Sequence, residues 1–223
     1  MRLAAAAAAC TLLVSGAFAA PALAAGGDYV IEGGTPAEQA QVQAALGASS
    51  FDWSLVPITV TIHIERGLPG GSYSTYGQSW LDAGVLDTGR FSWGMVQMEY
   101  ANQVQQTLVP PSLHDELAGL LGGKQWCYEN PMLPPQDNAC ERFAALVAWA
   151  YWPSSDNCMA PAGNDAWATP ISAPAFRAYL ARTLAIPDTI DPAPQQRTTA
   201  PVSAAPPRAG HHAPRKGTAS AKR

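Results

Sequence analysis

The sequence predicts an α+β fold, in which a small β-sheet is combined with a helical part. Residues 55–65 alternate apolar and polar side chains, which is typical of a half-buried strand. Residues 91–106 read FSWGMVQMEYANQVQQ and residues 140–151 read CERFAALVAWAY, and both segments have the composition of buried helices. The strand precedes these two helices along the chain.

The chain begins with a predicted secretory signal peptide, residues 1–25. Arg2 supplies one positive charge, an Ala-rich apolar run extends to Ala20, and the segment ends in the small residues PALAA. The small-residue end and the absence of a cationic flank favour a signal peptide over a membrane anchor. The mature protein is therefore predicted to be secreted or exported to the cell envelope, with no transmembrane segment after cleavage.

The other end of the chain, residues 187–223, is predicted to be a disordered tail. It is rich in Pro, Ala, Thr and Ser and has no aromatic residue, so it cannot bury enough apolar surface to offset its ordering entropy. It has six basic and two acidic residues, a net charge of +4, whereas the predicted domain at residues 26–186 has 6 basic and 15 acidic residues, a net charge of −9. The tail is interpreted as a solubilising extension or as a segment that binds an anionic cell-surface polymer. Its adjacent His211 and His212 are expected to be solvated, and no nucleic-acid partner is predicted.

The predicted domain starts with a short helix, which is followed by the sheet. Thr35-Pro36 is a good helix start, with Thr as the N-cap, and Gly47 is expected to end the helix. His63, on the polar face of the strand at residues 55–65, is interpreted as a surface residue. The Gly-rich segment 66–78 is predicted to be a hairpin connection, residues 79–82 a second short strand, and residues 85–88 a turn into the central helix.

The helical part has clear stop signals. Pro110-Pro111 end the central helix. A second helix at residues 113–121 has Ser112 as its predicted N-cap and Gly122 as its terminator, which places His114 on its exposed first turn. Residues 126–138 are predicted to be a loop and residues 174–184 a last amphipathic helix.

Three cysteines remain after the signal peptide is removed: Cys127, Cys140 and Cys158. Export permits disulfides, so one bridge and one free thiol are expected. We favour a bridge between Cys127 and Cys140, with the pairings of Cys158 to either one as alternatives. A metal-thiolate site is a weaker interpretation because no CxxC spacing occurs.

The central helix resembles the active-site helix of secreted bacterial zincins, a family of zinc metallopeptidases. MEYANQ at residues 98–103 matches the HEYAHQ pattern of that family except at its two ligand positions. The resemblance covers roughly residues 50–159 and implies a zincin-like domain with a small, partly antiparallel sheet, in which segments 55–65 and 79–82 form the substrate-edge sheet.

The resemblance also assigns roles to individual residues. Met98 and Asn102 occupy the two ligand positions of the helix, and Glu99 occupies the general-base position. Glu141 lies on a downstream helix, as the third, carboxylate ligand does in gluzincins. Gln105 lies where a zincin often has an acidic partner for its ligands.

These residue types are poor zinc ligands. The Met98 thioether suits soft copper, and Asn102 offers only a neutral amide oxygen. No cofactor is therefore expected, and Glu99 is interpreted as a vestigial base, because without a metal there is no Lewis acid to activate water. In a metal-free pocket we expect the Asn102 amide to contact Glu99 or Glu141, and one of two neighbouring carboxyls to keep its proton at neutral pH.

The sequence thus predicts an inactive, exported, monomeric zincin homologue that binds peptide or protein in its former substrate cleft. One alternative is a hydrolase that turns over slowly through Glu99 and Glu141. A second is a cell-surface or glycan-binding module that uses its seven tryptophans and its basic tail. A third interpretation treats Met98, Glu99 and Asn102 as ordinary helix positions; it is disfavoured because Glu141, a second carboxylate on a buried helix, requires a partner.

Overall fold

The computed structural model describes residues 27–161 and 167–190, which form an α+β domain with a four-stranded sheet. The predicted signal peptide, residues 1–25, lies outside the described residues, and so does the predicted tail beyond residue 190. Within the described part of the chain, no helix has the length and apolar character needed to cross a bilayer.

The sheet is partly parallel and partly antiparallel. Its strands in chain order are β1 (Tyr29–Gly33), β2 (Val60–Glu65), β3 (Tyr73–Thr75) and β4 (Gln78–Asp82). Their spatial order is β1-β2-β4-β3, with β2 parallel to both β1 and β4, and β3 antiparallel to β4. The short strand β3 therefore lies at one edge of the sheet, joined to β4 by a two-residue turn.

Three predictions about the strands are wrong. The domain begins with β1 rather than with a helix. The strand predicted at residues 55–65 starts only at Val60, because Asp52 caps a turn of 3₁₀ helix at Trp53–Leu55. Strand β3 lies inside the segment 66–78 that was predicted to be only a connection, so the strand at the sheet edge is β3 and not the segment 55–65.

The described residues also form six α-helices, and the predicted long helices are confirmed to within two residues at each end. They are α1 (Pro36–Ala48), α2 (Ala83–Leu86), α3 (Trp93–Leu108), α4 (His114–Leu121), α5 (Ala139–Ala150) and α6 (Ala173–Thr183).

The predicted helix ends are only partly correct. Thr35 forms a reciprocal capping box with Glu38 at the start of α1, but Gly47 lies inside that helix and Ser49 is its C-cap. Ser112 does not cap α4, because it belongs to a 3₁₀ turn, whereas Gly122 does end α4 in the left-handed conformation that glycine adopts without strain.

Helix α3 is the centre of the domain. It packs against α5, α1 and the β3–β4 hairpin, and its side chains from Val96 to Gln105 are buried. Several of these side chains are polar and therefore need partners. Gln103 accepts a hydrogen bond from the Gly77 main-chain N–H (2.8 Å) and donates one to the Thr75 carbonyl oxygen (2.8 Å). This one amide fixes the hairpin turn, and with it β3, against α3.

Replacing Gly94 with Ala is expected to destabilise the domain by about 2 kcal/mol, as overpacking does. A Cβ atom at Gly94 would overlap the amide oxygen of Asn157. The buried Asn157 side chain donates to the carbonyl oxygens of Ala148 (3.0 Å) and Trp152 (2.9 Å), so its displacement would disrupt both hydrogen bonds. Urea denaturation of the variant measures the effect.

The matched control for this prediction is Gly119→Ala on α4, where an added Cβ has nothing within 4 Å. That change is expected to stabilise the domain by up to about 1 kcal/mol, the usual helix preference of Ala over Gly. A stabilising effect at both positions would contradict the close approach of α3 to Asn157.

Candidate functional site

A cleft lies between the β3–β4 hairpin, α3, the start of α5 and the loop at residues 126–138. It consists of two adjacent cavities, of about 480 and 450 Å³, which share the lining residues Ser74, Tyr128 and Glu141. The larger cavity extends toward the turn of the hairpin and the start of α4. The smaller one extends toward the first turns of α3. The cleft is thus bordered along one side by the edge strand β3.

Glu99 on α3 is the most buried carboxylate of the cleft, with only 4 % of its surface exposed. Its Oε2 atom lies 2.8 Å from the hydroxyl oxygen of Ser74 on β3. Burial raises the pKa of Glu99 to about 7; the Ser74 hydroxyl opposes the rise, the neighbouring Glu141 carboxylate adds to it, and the Asn102 amide opposes it. Glu99 is therefore partly protonated near neutral pH. The direction of the shift is the one expected for one of two neighbouring carboxyls, but burial rather than the second carboxylate is its main cause.

Glu141 lies in the first turn of α5, across the cleft from β3. It accepts a hydrogen bond from the phenolic hydroxyl of Tyr128 at 2.8 Å. Burial raises the pKa of Glu141, while the Tyr128 hydroxyl and the Asn102 amide oppose the rise. Asn102 thus acts on both carboxyls, which agrees with the predicted contact of its amide with Glu99 or Glu141.

A disulfide holds the Tyr128–Glu141 pair in place. Cys127 is bonded to Cys140, so the two residues that precede the pair are covalently joined. The Cys127–Cys140 pairing is confirmed, and Cys158 is free. Tyr128 has a positive φ of 54°, a strained conformation for a non-glycine residue, and its main-chain N–H donates to the Asn138 side chain at 2.8 Å. The loop is therefore fixed in a specific conformation at the cleft wall.

The positions assigned to metal ligands meet at this cleft. Met98 lines the smaller cavity together with Glu99, and Asn102 lines the larger one together with Gln105 and Glu141. Met98 and Asn102 are both buried, on the cleft side of α3.

These residues do not fit zinc. A thioether and a neutral amide replace the two imidazoles that a catalytic zinc would need beside one carboxylate. Across residues 27–161 and 167–190, no three His, Cys, Asp or Glu side chains lie close enough together to hold a metal ion.

Several residues of the cleft were not identified from the sequence. Ser74 and Tyr128 contact the two carboxylates directly. His114, predicted to be a surface residue, is half-buried; its ring stacks on Trp126 at 4.4 Å between centroids, and both line the larger cavity. The signal that could have revealed Ser74 is the two-residue connection Tyr76-Gly77 between two short extended segments, which is typical of a β-hairpin. No local signal identifies Tyr128.

No protein-family model matches the chain, and no curated protein and no solved structure matches it significantly. The likeness to zincins consequently rests on the sequence, above all on the MEYANQ segment.

Proposed function

We propose that this protein is an exported zincin-like homologue of metallopeptidases that has lost zinc binding and peptidase activity. It uses the former substrate cleft to bind an extended peptide or protein segment. The observation that carries the proposal is the edge strand β3, which borders the cleft and whose Ser74 side chain contacts the buried Glu99. The donor set described above supports the loss of zinc.

The edge of β3 offers main-chain groups to such a segment. Thr75 and Gln78 close the two-residue turn of the hairpin, so they form a hydrogen-bonded pair of the antiparallel ladder. The next residue along β3, Ser74, then directs its main-chain N–H and C=O away from β4, toward the free edge. An extended segment that lies along β3 binds these groups as an added strand.

The rim of the cleft supplies side-chain contacts. Tyr73, Tyr76 and Tyr128 are exposed aromatic residues that line the cavities. Exposed aromatic rings provide large contact areas and are enriched at protein interfaces. Among the described residues, those that line the two cavities include two carboxyls and no Lys or Arg. The cleft therefore favours segments that place neutral or cationic side chains in it and disfavours acidic ones.

A hydrolase that works through Glu99 and Glu141 is the second candidate. It is favoured by the pKa of about 7 at Glu99, which is suited to general acid or base catalysis near neutral pH. Such an enzyme would cleave a bound peptide or glycoside, and the cleavage would be lost in Glu99→Gln. Binding without cleavage, unaffected by added zinc, supports the first proposal instead.

The test is selection of a random heptapeptide display library on the immobilised mature protein, residues 26–223. We expect bound peptides whose affinity falls several-fold to about tenfold on N-methylation at alternate positions, because each lost N–H removes one hydrogen bond to an edge strand. Calorimetry with the selected peptides measures these affinities.

The variant that locates the binding surface is Tyr76→Ala. Tyr76 is 63 % exposed and lines the larger cavity. We expect about tenfold weaker binding, the loss of about 1.4 kcal/mol that is usual for an important interface aromatic residue. Phe91→Ala is the matched control, because Phe91 is similarly exposed, at 59 %, and is not among the residues that line the cleft. Selection of no peptide, or equal effects of the two variants, would contradict the proposal.

A further inference from the structure

A row of four side chains crosses the outer face of the sheet, on the side away from α3. The residues are in register on adjacent strands: Glu32 pairs with His63, His63 with Trp80, and Trp80 with Tyr73. Paired residues of neighbouring strands point to the same face of a sheet. The row therefore ends at Tyr73, on the edge strand β3.

The three rings of the row stand parallel to one another. His63 and Trp80 are stacked with 4.8 Å between centroids and 18° between planes, and Trp80 and Tyr73 are stacked with 4.8 Å and 9°. Glu32 closes the other end of the row, with its Oε2 atom 3.4 Å from Nδ1 of His63. The sequence indicated that His63 is a solitary surface residue; in the structure its ring stacks on Trp80 and its Nδ1 atom lies near Glu32.

The end ring, that of Tyr73, has one covered face and one free face. Trp80 covers the inner face, and within residues 27–161 and 167–190 no aromatic ring stacks on the other face, which looks beyond the edge of the sheet. Tyr73 is 44 % exposed and also lines the smaller cavity of the cleft. The free face therefore lies where a strand added to β3 would place a side chain.

We propose that the bound segment carries an aromatic residue at the position that pairs with Tyr73, and that its ring stacks on the free face of Tyr73. The inference deepens the proposed function and rests on it, because it requires a strand added at β3. The spacing supports it: the 4.8 Å between stacked rings equals the usual 4.7–4.9 Å between neighbouring strands. A further strand therefore brings a further ring to stacking distance with no change in the row.

The two-residue period of a strand restricts the preference to one position. The segment's residue that pairs with Ser74 points to the opposite side, into the cleft toward Glu99, as the Ser74 side chain does. An aromatic ring at that neighbouring position would not meet Tyr73. Nonspecific hydrophobic binding of apolar peptides would instead show no preference for an aromatic residue at a single position.

The test is a positional-scanning library of hexapeptides, acetylated and amidated at their ends, measured by fluorescence polarisation on residues 26–223. At one position we expect Phe, Tyr or Trp to bind about three- to tenfold more tightly than Leu, the effect of one aromatic pair beyond its buried area. Tyr73→Ala should remove this preference while peptides with Leu there still bind. Tyr73→Phe should keep the preference, and Thr75→Ala, on the same strand and face, should leave it unchanged.

The outcomes separate this inference from the proposed function. Peptide binding with no aromatic preference at any position, or a preference that persists in Tyr73→Ala, overturns the stacking proposal and leaves peptide binding intact. If no peptide pool of the library binds, both the stacking proposal and the proposed function are overturned. A single-position preference that is lost in Tyr73→Ala and kept in Tyr73→Phe supports the stacking of a peptide ring on Tyr73.

Discussion

Replacing Glu99 with Gln is expected to stabilise the protein by about 3 kcal/mol at pH 8 and to change its stability little at pH 4. The Glu99 carboxyl is buried, and its pKa is raised from the ordinary 4.5 to about 7 in the folded protein. Gln has nearly the same shape, carries no charge at any pH, and its amide oxygen can still accept a hydrogen bond from the Ser74 hydroxyl. The main effect of the substitution is therefore to remove the cost of a buried charge.

The pH dependence follows from the direction of the shift. Below pH 4.5 the carboxyl is protonated in both the folded and the unfolded protein, so no cost of a buried charge lowers the free energy of unfolding. Between pH 4.5 and 7 the unfolded chain loses this proton and the folded protein keeps it, so stability falls as the pH rises, by about 1.4 kcal/mol per pH unit. Above pH 7 the difference is constant, and the gain in Glu99→Gln reaches its full value.

Urea denaturation at several pH values between 4 and 8 measures this difference. Glu65→Gln, at an exposed position of β2, is the control and should show no comparable gain. Glu141 stays in the variant, and because burial raises its pKa too, a residual fall in stability with pH is expected. A gain that is the same at pH 4 and pH 8 would show that the charge of Glu99 is not the cause.

The long helices were predictable because their signals are local. α3 and α5 each have a buried apolar pattern and a proline stop, Pro110-Pro111 and Pro153, and their observed limits agree with the predicted ones to within two residues. The strands β1 and β3 were missed, because they are short and form only by pairing with β2 and β4. The partner of β1 lies far from it in the sequence, whereas β3 pairs with β4 across a two-residue turn, a local signal that was assigned to a longer connection.

The cleft was predictable only in part. Glu99 and Asn102 share α3, and their proximity to Glu141 was implied by the zincin resemblance rather than by any local pattern. Tyr128 reaches Glu141 because the disulfide at Cys127 and the hydrogen bond from the Tyr128 main chain to Asn138 fix the loop. No sequence pattern predicts this conformation of the loop. The stacked row across the sheet escaped prediction for a similar reason, since it requires the register of four strands.

The double variant Met98→His, Asn102→His is expected to bind one zinc ion per chain. Positions 98 and 102 are four residues apart on α3, so both side chains face the same side of the helix, and both line the cleft with Glu141 opposite. Two imidazoles and one carboxylate are a sufficient protein ligand set for tetrahedral zinc. Metal analysis after dialysis against zinc gives the stoichiometry. Zinc at a hundred times its dissociation constant should raise the free energy of unfolding by about 2.7 kcal/mol.

Two further variants make this result specific to the cleft. Met98→His alone should bind zinc weakly, because it restores one imidazole only. Adding Glu141→Gln to the double variant removes the third ligand. Zinc binding should then weaken at least as much as it does when a residue that hydrogen-bonds to a metal ligand is lost, about 10- to 100-fold. Peptide cleavage that appears in the double variant, and is lost when Glu99→Gln is added, is the second readout.

A double variant that folds and binds no zinc would show that residues 98 and 102 do not stand at ligand positions, and the zincin resemblance would then be coincidental. The peptide-binding proposal does not depend on that ancestry, because the free edge of β3 and the exposed tyrosines are features of the cleft itself. Zinc binding in the double variant together with peptide binding by the natural protein would connect the two. The cleft would then be a substrate site in which two ligand substitutions, at Met98 and Asn102, removed the metal and left the binding surface in place.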